Sequence, residues 1–374
     1  MNEMEVDLDR IKKNLLEICK RARKNVEQVI AVVKDNSYGL GAKVVSKTLQ
    51  DAGVVWFAVA RVDEAVFLRE NGITGDILVL GNTGENFFNI AAQYKITLSL
   101  VDYTQISVIK RNYGTYNLRW HLNVDTGMRR DGIMCEDLFS DSKILQSIKE
   151  LIPVISGVYT HYHSSDNENR NSVFLQQNKF KNAISVLRHA GFNFNTIHSS
   201  NSGACVYSTV AENEFIRPGI LLYGCRPDPL RDPEIKVGEA VKIISKISGI
   251  REIKKGEGVS YGHIWTAPRD TKIATVSIGY ADGFPRAITK TAFVEIKGEK
   301  YPIVGRVTMD YIMVDIGNKT HICVGDDVYI IGIDELAINA KTIGYELLCK
   351  FGGLMNHKYI SGKQVISTQK RELF

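Results

Sequence analysis

Apolar and polar positions follow two different rhythms along the chain. From Val29 onward short apolar runs recur: VIAVVK, VWFAVA, DILVLG, ITLSLV, LRWHLNV, VISGVYTH, FNTIHSSN and FIRPGILLYG. Near-continuous apolar runs of this kind read as strands buried on both faces, which is what parallel sheets produce. Amphipathic segments such as VDEAVFLRENG and QQNKFKNAISVLRHAG separate most of them, the second closing in a glycine suited to a helix C′ position. About eight strands alternating with helices predict an α/β fold, a (β/α)8 TIM-type barrel over residues 9–232. A doubly wound open sheet is the competing architecture, but it usually has fewer strands, and no GxGxxG follows the first run.

The rhythm changes after DPLRDPEIKVG, a linker-like stretch with two prolines. EAVKIISKISGIREI, TKIATVSIGYADG, TAFVEIKGEKYPIVG, YIMVDIG and DDVYIIG are β-branched runs broken by Gly, Asn and Asp turns. They predict a smaller, mainly β C-terminal domain over 233–374, with one late helix in INAKTIGYELLCKF. The N-terminal 1–8, in which MEVDL alternates like a short strand, is counted with it. DRIKKNLLEICKRAR then shows helical spacing with Asp9 as candidate N-cap.

Composition narrows the function. A net charge of +5 is small for 374 residues, and the basic residues are scattered, so no nucleic-acid surface is expected while anionic small molecules remain eligible. Six cysteines lie far apart with no CxxC or Cys/His spacing, which argues against a zinc site or a disulfide framework and fits a reducing cytoplasm. MNEMEVDLDRIKKN lacks an apolar signal core, and no run approaches about 18 apolar residues, so no membrane association is expected.

In a barrel, residues at strand C-terminal ends face the catalytic mouth. Here they are Lys34, Asn123, His161, Ser202 and Arg217. A lysine in an apolar-walled mouth can lose its proton and condense with an aldehyde. HSSNSGAC places Asn201, Ser202 and Gly203 on a strand-to-helix turn, and RPGILLYG adds the Gly219 and Ile220 amides beside Arg217, both suited to a phosphate. A lysine and a phosphate cradle in one mouth point to pyridoxal 5′-phosphate.

AVVKDNSYGLGA, VDTGMRRDGI, GVYTHYHSSD, HSSNSGA, IRPGILLYG, GVSYGHIWTA, IGYADGFPR and GRVTMDYIMVD together resemble, block by block and in order, the bacterial alanine racemases, fold-type III pyridoxal-phosphate enzymes. The resemblance covers essentially the whole chain. It implies racemisation of L- and D-alanine by two bases, supplying D-alanine for peptidoglycan. Lys34 matches the cofactor lysine and one base, and Tyr261 the base on the opposite face. Two residues suit the task, since racemisation needs a base on one side of Cα–H and an acid on the other. Tyr38, Asn201, Ser202, Gly219, Ile220 and Tyr345 match the phosphate cradle, and His161 the ring that packs on the pyridine. Arg217 matches the arginine at the pyridine nitrogen. Arg130, Met309, Asp310 and Tyr280 match residues around the substrate, Tyr280 as a gate. The family's barrel mouth is closed by the β domain of the other subunit, so a head-to-tail homodimer with composite sites is implied.

The chain departs from the family at four points, one of them the C-terminal GGLMNHKYISGK, which lacks the family's usual arginine-rich ending. Asn123 stands where many members carry a lysine, often carbamylated, leaving open either an anion near Arg130 or a different hold on that arginine. Asp35 replaces an alanine, and a strand persisting through it would turn its side chain away from that of Lys34. Leu40 replaces a histidine. Rival functions are a serine or lysine racemase, a decarboxylase of the same fold type, which carries a carboxylate where this chain has Arg217, and a one-barrel pyridoxal-phosphate homeostasis protein, which lacks the β domain.

Overall fold

In a computed structural model, which describes residues 2–140, 142–208, 210–231, 235–288 and 292–370, all eight apolar runs are strands. Ile30–Val32, Trp56–Val59, Asp76–Val79, Thr97–Leu100, Arg119–Asp125, Ile155–Tyr159, Thr196–Asn201 and Phe215–Arg217 pair in parallel, each with the next in that sequence. A parallel bridge from Val29 to Ile216 joins the last to the first, so the sheet closes into a barrel. Helices between the strands cover its outside. Burial on both faces is why the strands carry no alternation: Ile30, Ala31, Phe57, Ala58, Ile77 and Leu78 are all fully buried.

The helix Asn171–His189 ends as its glycine predicts, with Gly191 at φ 104° and Phe192 N–H donating to Leu187 O. The first helix, Leu8–Ala22, is capped by Asp7 rather than by Asp9: the Asp7 side chain accepts from Arg10 N–H at 2.9 Å. Asp9 instead accepts from Gly362 N–H and Ser361 Oγ–H, so it ties the helix to the C-terminal segment.

A second, nine-stranded sheet follows, mainly antiparallel. Its spine is Val241–Ile253, whose first half alternates buried and exposed side chains. This strand pairs at one end with Glu3–Asp7 and Asp327–Ile330 and at the other with Thr271–Val276, so the sheet curls around its own core. Glu3–Asp7 pairs on its other side with Asn356–Ser361, which brings both ends of the chain into this sheet. INAKTIGYELLCKF is not one helix. Ile333–Ala340 stops at Lys341, which takes a left-handed φ of 55°, and Gly344–Leu354 starts afresh. The hairpin of Asn356–Ser361 with Gln364–Gln369 has no counterpart in the sequence reading. Three linker residues, 232–234, lie outside the described residues.

Candidate active site

The first barrel strand ends at Val32, and the chain then adopts a conformation that L-residues avoid. Asp35, Asn36, Ser37 and Tyr38 all have φ between 52° and 56°. Each such residue costs roughly 1 kcal/mol or more, so the turn persists only where its surroundings over-determine it. Ser37 N–H donates to Val33 O at 3.0 Å, and Ala42 N–H to Asn36 Oδ1 at 2.7 Å. Glu64 accepts from Asp35 N–H at 2.5 Å while also accepting from Ala60 and Arg61 N–H. From the β domain, His357 Nε2 lies 2.6 Å from Gly39 O, and Tyr359 O–H donates to Leu40 O. A Cβ on Gly352 would stand 2.1 Å from Gly39 O, so the late helix packs backbone to backbone against the turn.

This turn carries Lys34 into a cavity of about 410 Å³ at the mouth of the barrel. It also overturns the expectation for Asp35. The strand does not persist, and the left-handed turn keeps both side chains on the same cavity, with Lys34 Nζ 3.7 Å from Asp35 Oδ2.

Opposite Lys34 the phosphate-type residues converge. Gly219 N–H donates to Ser202 Oγ at 3.0 Å. A Cβ on Gly219 would sit 2.3 Å from the Tyr38 hydroxyl, so that position admits only glycine with Tyr38 where it is. Tyr38 packs between Tyr223 and Tyr345, with ring centroids 5.4 and 5.9 Å away, and burial pushes both the Tyr38 and Tyr345 phenols above their ordinary value. Asn201 caps the helix Ser202–Tyr207 through Ala204 N–H. Ile220 is fully buried and starts the turn after Gly219.

Arg217 forms the wall between them and is only 3 % exposed. Its Nη2 donates to Thr160 O at 2.8 Å and Ser199 O at 3.1 Å, its Nη1 lies 2.9 Å from His198 Nδ1, and the guanidinium stands over the Tyr159 ring. His161 is pushed down to about 3, first by burial and then by Arg217, so it is neutral near pH 7. Its Nδ1 lies 3.4 Å from Arg217 Nη2 and its Nε2 3.5 Å from Asn201 Nδ2. A neutral imidazole accepts at one nitrogen only, which is consistent with both contacts being long.

Arg130 lines the same cavity, with Nε 3.7 Å from Asp131 Oδ2. Asn123 does not reach the cavity: it is buried and its Nδ2 donates to Asp131 Oδ1 at 2.9 Å. Asn123 thus acts on Arg130 only through Asp131. Sequence reading missed His198 and Tyr159, although His198 stands inside a quoted motif. A histidine and an arginine on neighbouring strands of a closed barrel were the available signal.

Tyr261, Tyr280, Met309 and Asp310 lie elsewhere. Tyr261 and Tyr280 line a second cavity on the β domain with Arg286 and Arg306, and it shares no residue with the first. Tyr261 is 72 % and Met309 54 % exposed, and Asp310 is exposed too. Tyr280 N–H donates to Thr308 O and Ala281 N–H to Met309 O, so the two turns are fastened together. Cys225, Glu239 and Asp334 also converge, and none of them lines either cavity, but Arg226 occupies Asp334 and Glu239 accepts from Asp334 N–H.

The alanine racemase N-terminal domain model matches residues 6–227, and the C-terminal domain model matches 240–359. The chain is 33 % identical to an alanine racemase of Desulforamulus reducens over 95 % of its length and 98 % of the relative's. It is 34 % identical to alanine racemase 2 of Bacillus subtilis, over 99 % of its length and 98 % of that protein's. Among solved structures, an alanine racemase from Clostridium difficile superposes with a TM-score of 0.87 at 32 % identity, covering 99 % of this chain and 98 % of that one. The alanine racemase from Bacillus anthracis, solved with bound L-Ala-P, superposes with a TM-score of 0.85 at 30 % identity, covering 99 % of this chain and 97 % of that one. With its barrel, its curled β domain and both halves of its sequence matched, the chain belongs to the alanine racemase family.

Proposed function

We propose that this protein interconverts L- and D-alanine with pyridoxal 5′-phosphate, supplying D-alanine for peptidoglycan in the cytoplasm. The observation that carries the reading is one cavity bringing together Lys34, a glycine-and-hydroxyl cradle and a buried arginine. The cradle fits the cofactor: Gly219 leaves space that a Cβ would fill, and the Tyr38 and Ser202 hydroxyls border it. Lys34 would hold the aldehyde end, Tyr38, Asn201, Ser202, Gly219, Ile220 and Tyr345 the phosphate, and His161 the ring face. When bound, the cofactor supplies the electron-withdrawing group that acidifies the substrate Cα–H.

Arg217 would face the ring nitrogen of the bound cofactor. A guanidinium only donates, so it would hydrogen-bond to that nitrogen's lone pair, where a carboxylate would accept from a pyridinium N–H, and the nitrogen would stay unprotonated. This restrains electron withdrawal and so disfavours transamination. Lys34 and Tyr261 exchange protons with opposite faces of Cα, Arg130 and Met309 orient the substrate carboxylate, and Asp310 and Tyr280 complete the entrance. Since Tyr261 is exposed and in a separate cavity, the reading requires a second copy of the chain. The head-to-tail homodimer brings the β domain of one subunit over the barrel mouth of the other. Residues 9–232 act as the cofactor-binding barrel, and 1–8 with 233–374 as the domain that completes the partner's site. No helix among the described residues is long and apolar enough to cross a membrane.

Borohydride reduction of the loaded protein, followed by peptide mapping, tests the anchor: the cofactor mass is expected on Lys34 and is expected to vanish in Lys34→Ala. Capture on another lysine sinks the assignment. A chiral assay over alanine, serine and lysine tests the substrate, and a kcat/KM for serine or lysine above that for alanine would overturn it.

A further inference from the structure

Behind the cavity wall three basic side chains form a line. Arg217 Nη1 lies 2.9 Å from His198 Nδ1, and His198 Nε2 lies 2.9 Å from His121 Nδ1. All three are buried. The His198 ring is stacked on Tyr159 at 4.8 Å and 9°, and the His121 ring leans on Trp56 at 5.4 Å.

The guanidinium sets the direction of the whole line. Arg217 has donors and no acceptor, so His198 must present a lone pair at Nδ1. A neutral imidazole with that lone pair carries its hydrogen on Nε2, which then donates to His121 Nδ1. The His121 hydrogen is left on Nε2. There the line ends: His121 Nε2 is buried without a hydrogen-bond partner, against Gly157, where a Cβ would come within 2.5 Å of it. Reversing the line would set an N–H of His198 against an N–H of Arg217 at 2.9 Å. An apolar side chain at 121 would avoid the orphaned donor, so the use of this histidine lies at the other end of its ring.

We propose that His121 is a positioning residue of the active site, holding His198 with Nδ1 toward Arg217 and thereby aiming the free N–H groups of Arg217 into the cavity. Of the five N–H groups of Arg217, both on Nη2 go to Thr160 O and Ser199 O and one on Nη1 goes to His198. Nε–H and the second Nη1–H remain for a ligand. Without an acceptor at 121, His198 keeps its stack on Tyr159 but is no longer tethered at Nε2, and the anchor of Nη1 can swing. The role at the ring nitrogen rests on the pyridoxal-phosphate reading; the direction of the line does not.

Nitrogen-15 NMR of the histidine-labelled apoprotein tests the line itself. Both His198 and His121 are expected as Nε2–H tautomers with bare Nδ1, and a protonated Nδ1 on His198 overturns the proposal. Two variants test the consequence. His121→Asn keeps an acceptor, Oδ1, near the place of Nδ1, leaves the place of Nε2 empty and sets its own amide N–H2 beside it, whereas His121→Leu keeps bulk and has no acceptor. The asparagine variant is expected to hold kcat within about threefold, and the leucine variant to lose about tenfold in kcat with KM changed by less than about twofold and a displaced cofactor absorbance maximum. Equal losses in two folded variants overturn positioning in favour of packing. If the leucine variant does not fold, a tenfold loss in His121→Asn overturns it alone. The expected tautomers in a protein without racemase activity would support the line and refute the functional reading instead.

Discussion

Acidification tests the burial of the site's histidines. Burial, reinforced by neighbouring guanidinium groups, pushes His121 and His161 down to about 3 and His198 well below its ordinary value. In the unfolded chain each titrates near 6.5 (an approximate reference value). Below that pH the unfolded chain takes up protons that the folded chain refuses, so stability rises with pH. The contribution is fully present above about pH 7 and is lost as the pH falls from about 6.5 toward 3. At pH 5, about 1.5 pH units below the unfolded value, each histidine costs about 2 kcal/mol, since one pH unit is worth about 1.4 kcal/mol. That figure hardly depends on the folded value once it lies below about 4. His121 and His161 together remove about 4 kcal/mol, and His198 is pushed in the same direction, against a total stability of roughly 5–15 kcal/mol for a typical domain. Urea unfolding of the apoprotein at about pH 7.5 and pH 5, at one protein concentration, measures the difference. A loss below about 1 kcal/mol would refute the account, and His121→Asn is expected to recover about 2 kcal/mol of it.

Further substitutions probe the turn, the cradle and the assembly. Gly219→Ala forces the Tyr38 hydroxyl, 2.3 Å from the new Cβ, out of its slot between two tyrosines; it is expected to cost about 1–3 kcal/mol in urea unfolding and to weaken cofactor binding about tenfold or more. Unchanged cofactor affinity would remove Gly219 from the cradle. Glu64→Ala strips the acceptor from Asp35, Ala60 and Arg61 N–H, with an expected loss of about 2 kcal/mol and faster hydrogen exchange at Asp35; protection at Asp35 equal to wild type would show that the turn holds without it. Lys34→Ala and Tyr261→Phe are each expected to be inactive alone, and unfolding and refolding them together is expected to restore about a quarter of wild-type activity, because half the dimers then carry one intact composite site. No recovery would place both residues in a site of one chain.

How much of this was legible in the sequence follows from how local each cause is. The eight barrel strands were readable because burial on both faces writes an apolar run directly into the chain, and the β domain because short β-branched runs are punctuated by Gly, Asn and Asp turns. Lys34, the Gly219 cradle and Arg217 were readable as motifs at strand ends. The conformation of Asp35 to Tyr38 was not. Asp35 and Asn36 tolerate left-handed backbone better than most residues, but singly; four such residues in a row are held by Glu64, His357 and Tyr359, residues distant in sequence. That is why Asp35 ends beside Lys34 when strand geometry would have separated them.

The histidine line has the same origin. His121 and His198 are 77 residues apart and meet because the barrel's closure and register bring their side chains together inside it, an outcome no local pattern records. The sequence by itself determined the layers and the family motifs, because these follow from composition and short-range spacing. Only the tertiary structure decided which of the motif residues share a cavity. It placed Lys34 and Arg217 in one, left Tyr261 exposed in another, and tied Asn123 to Asp131 instead of opening it to the mouth. The physical reason is that hydrogen-bond direction and contact across a closed barrel depend on register and backbone curvature, which are set by the whole packed chain.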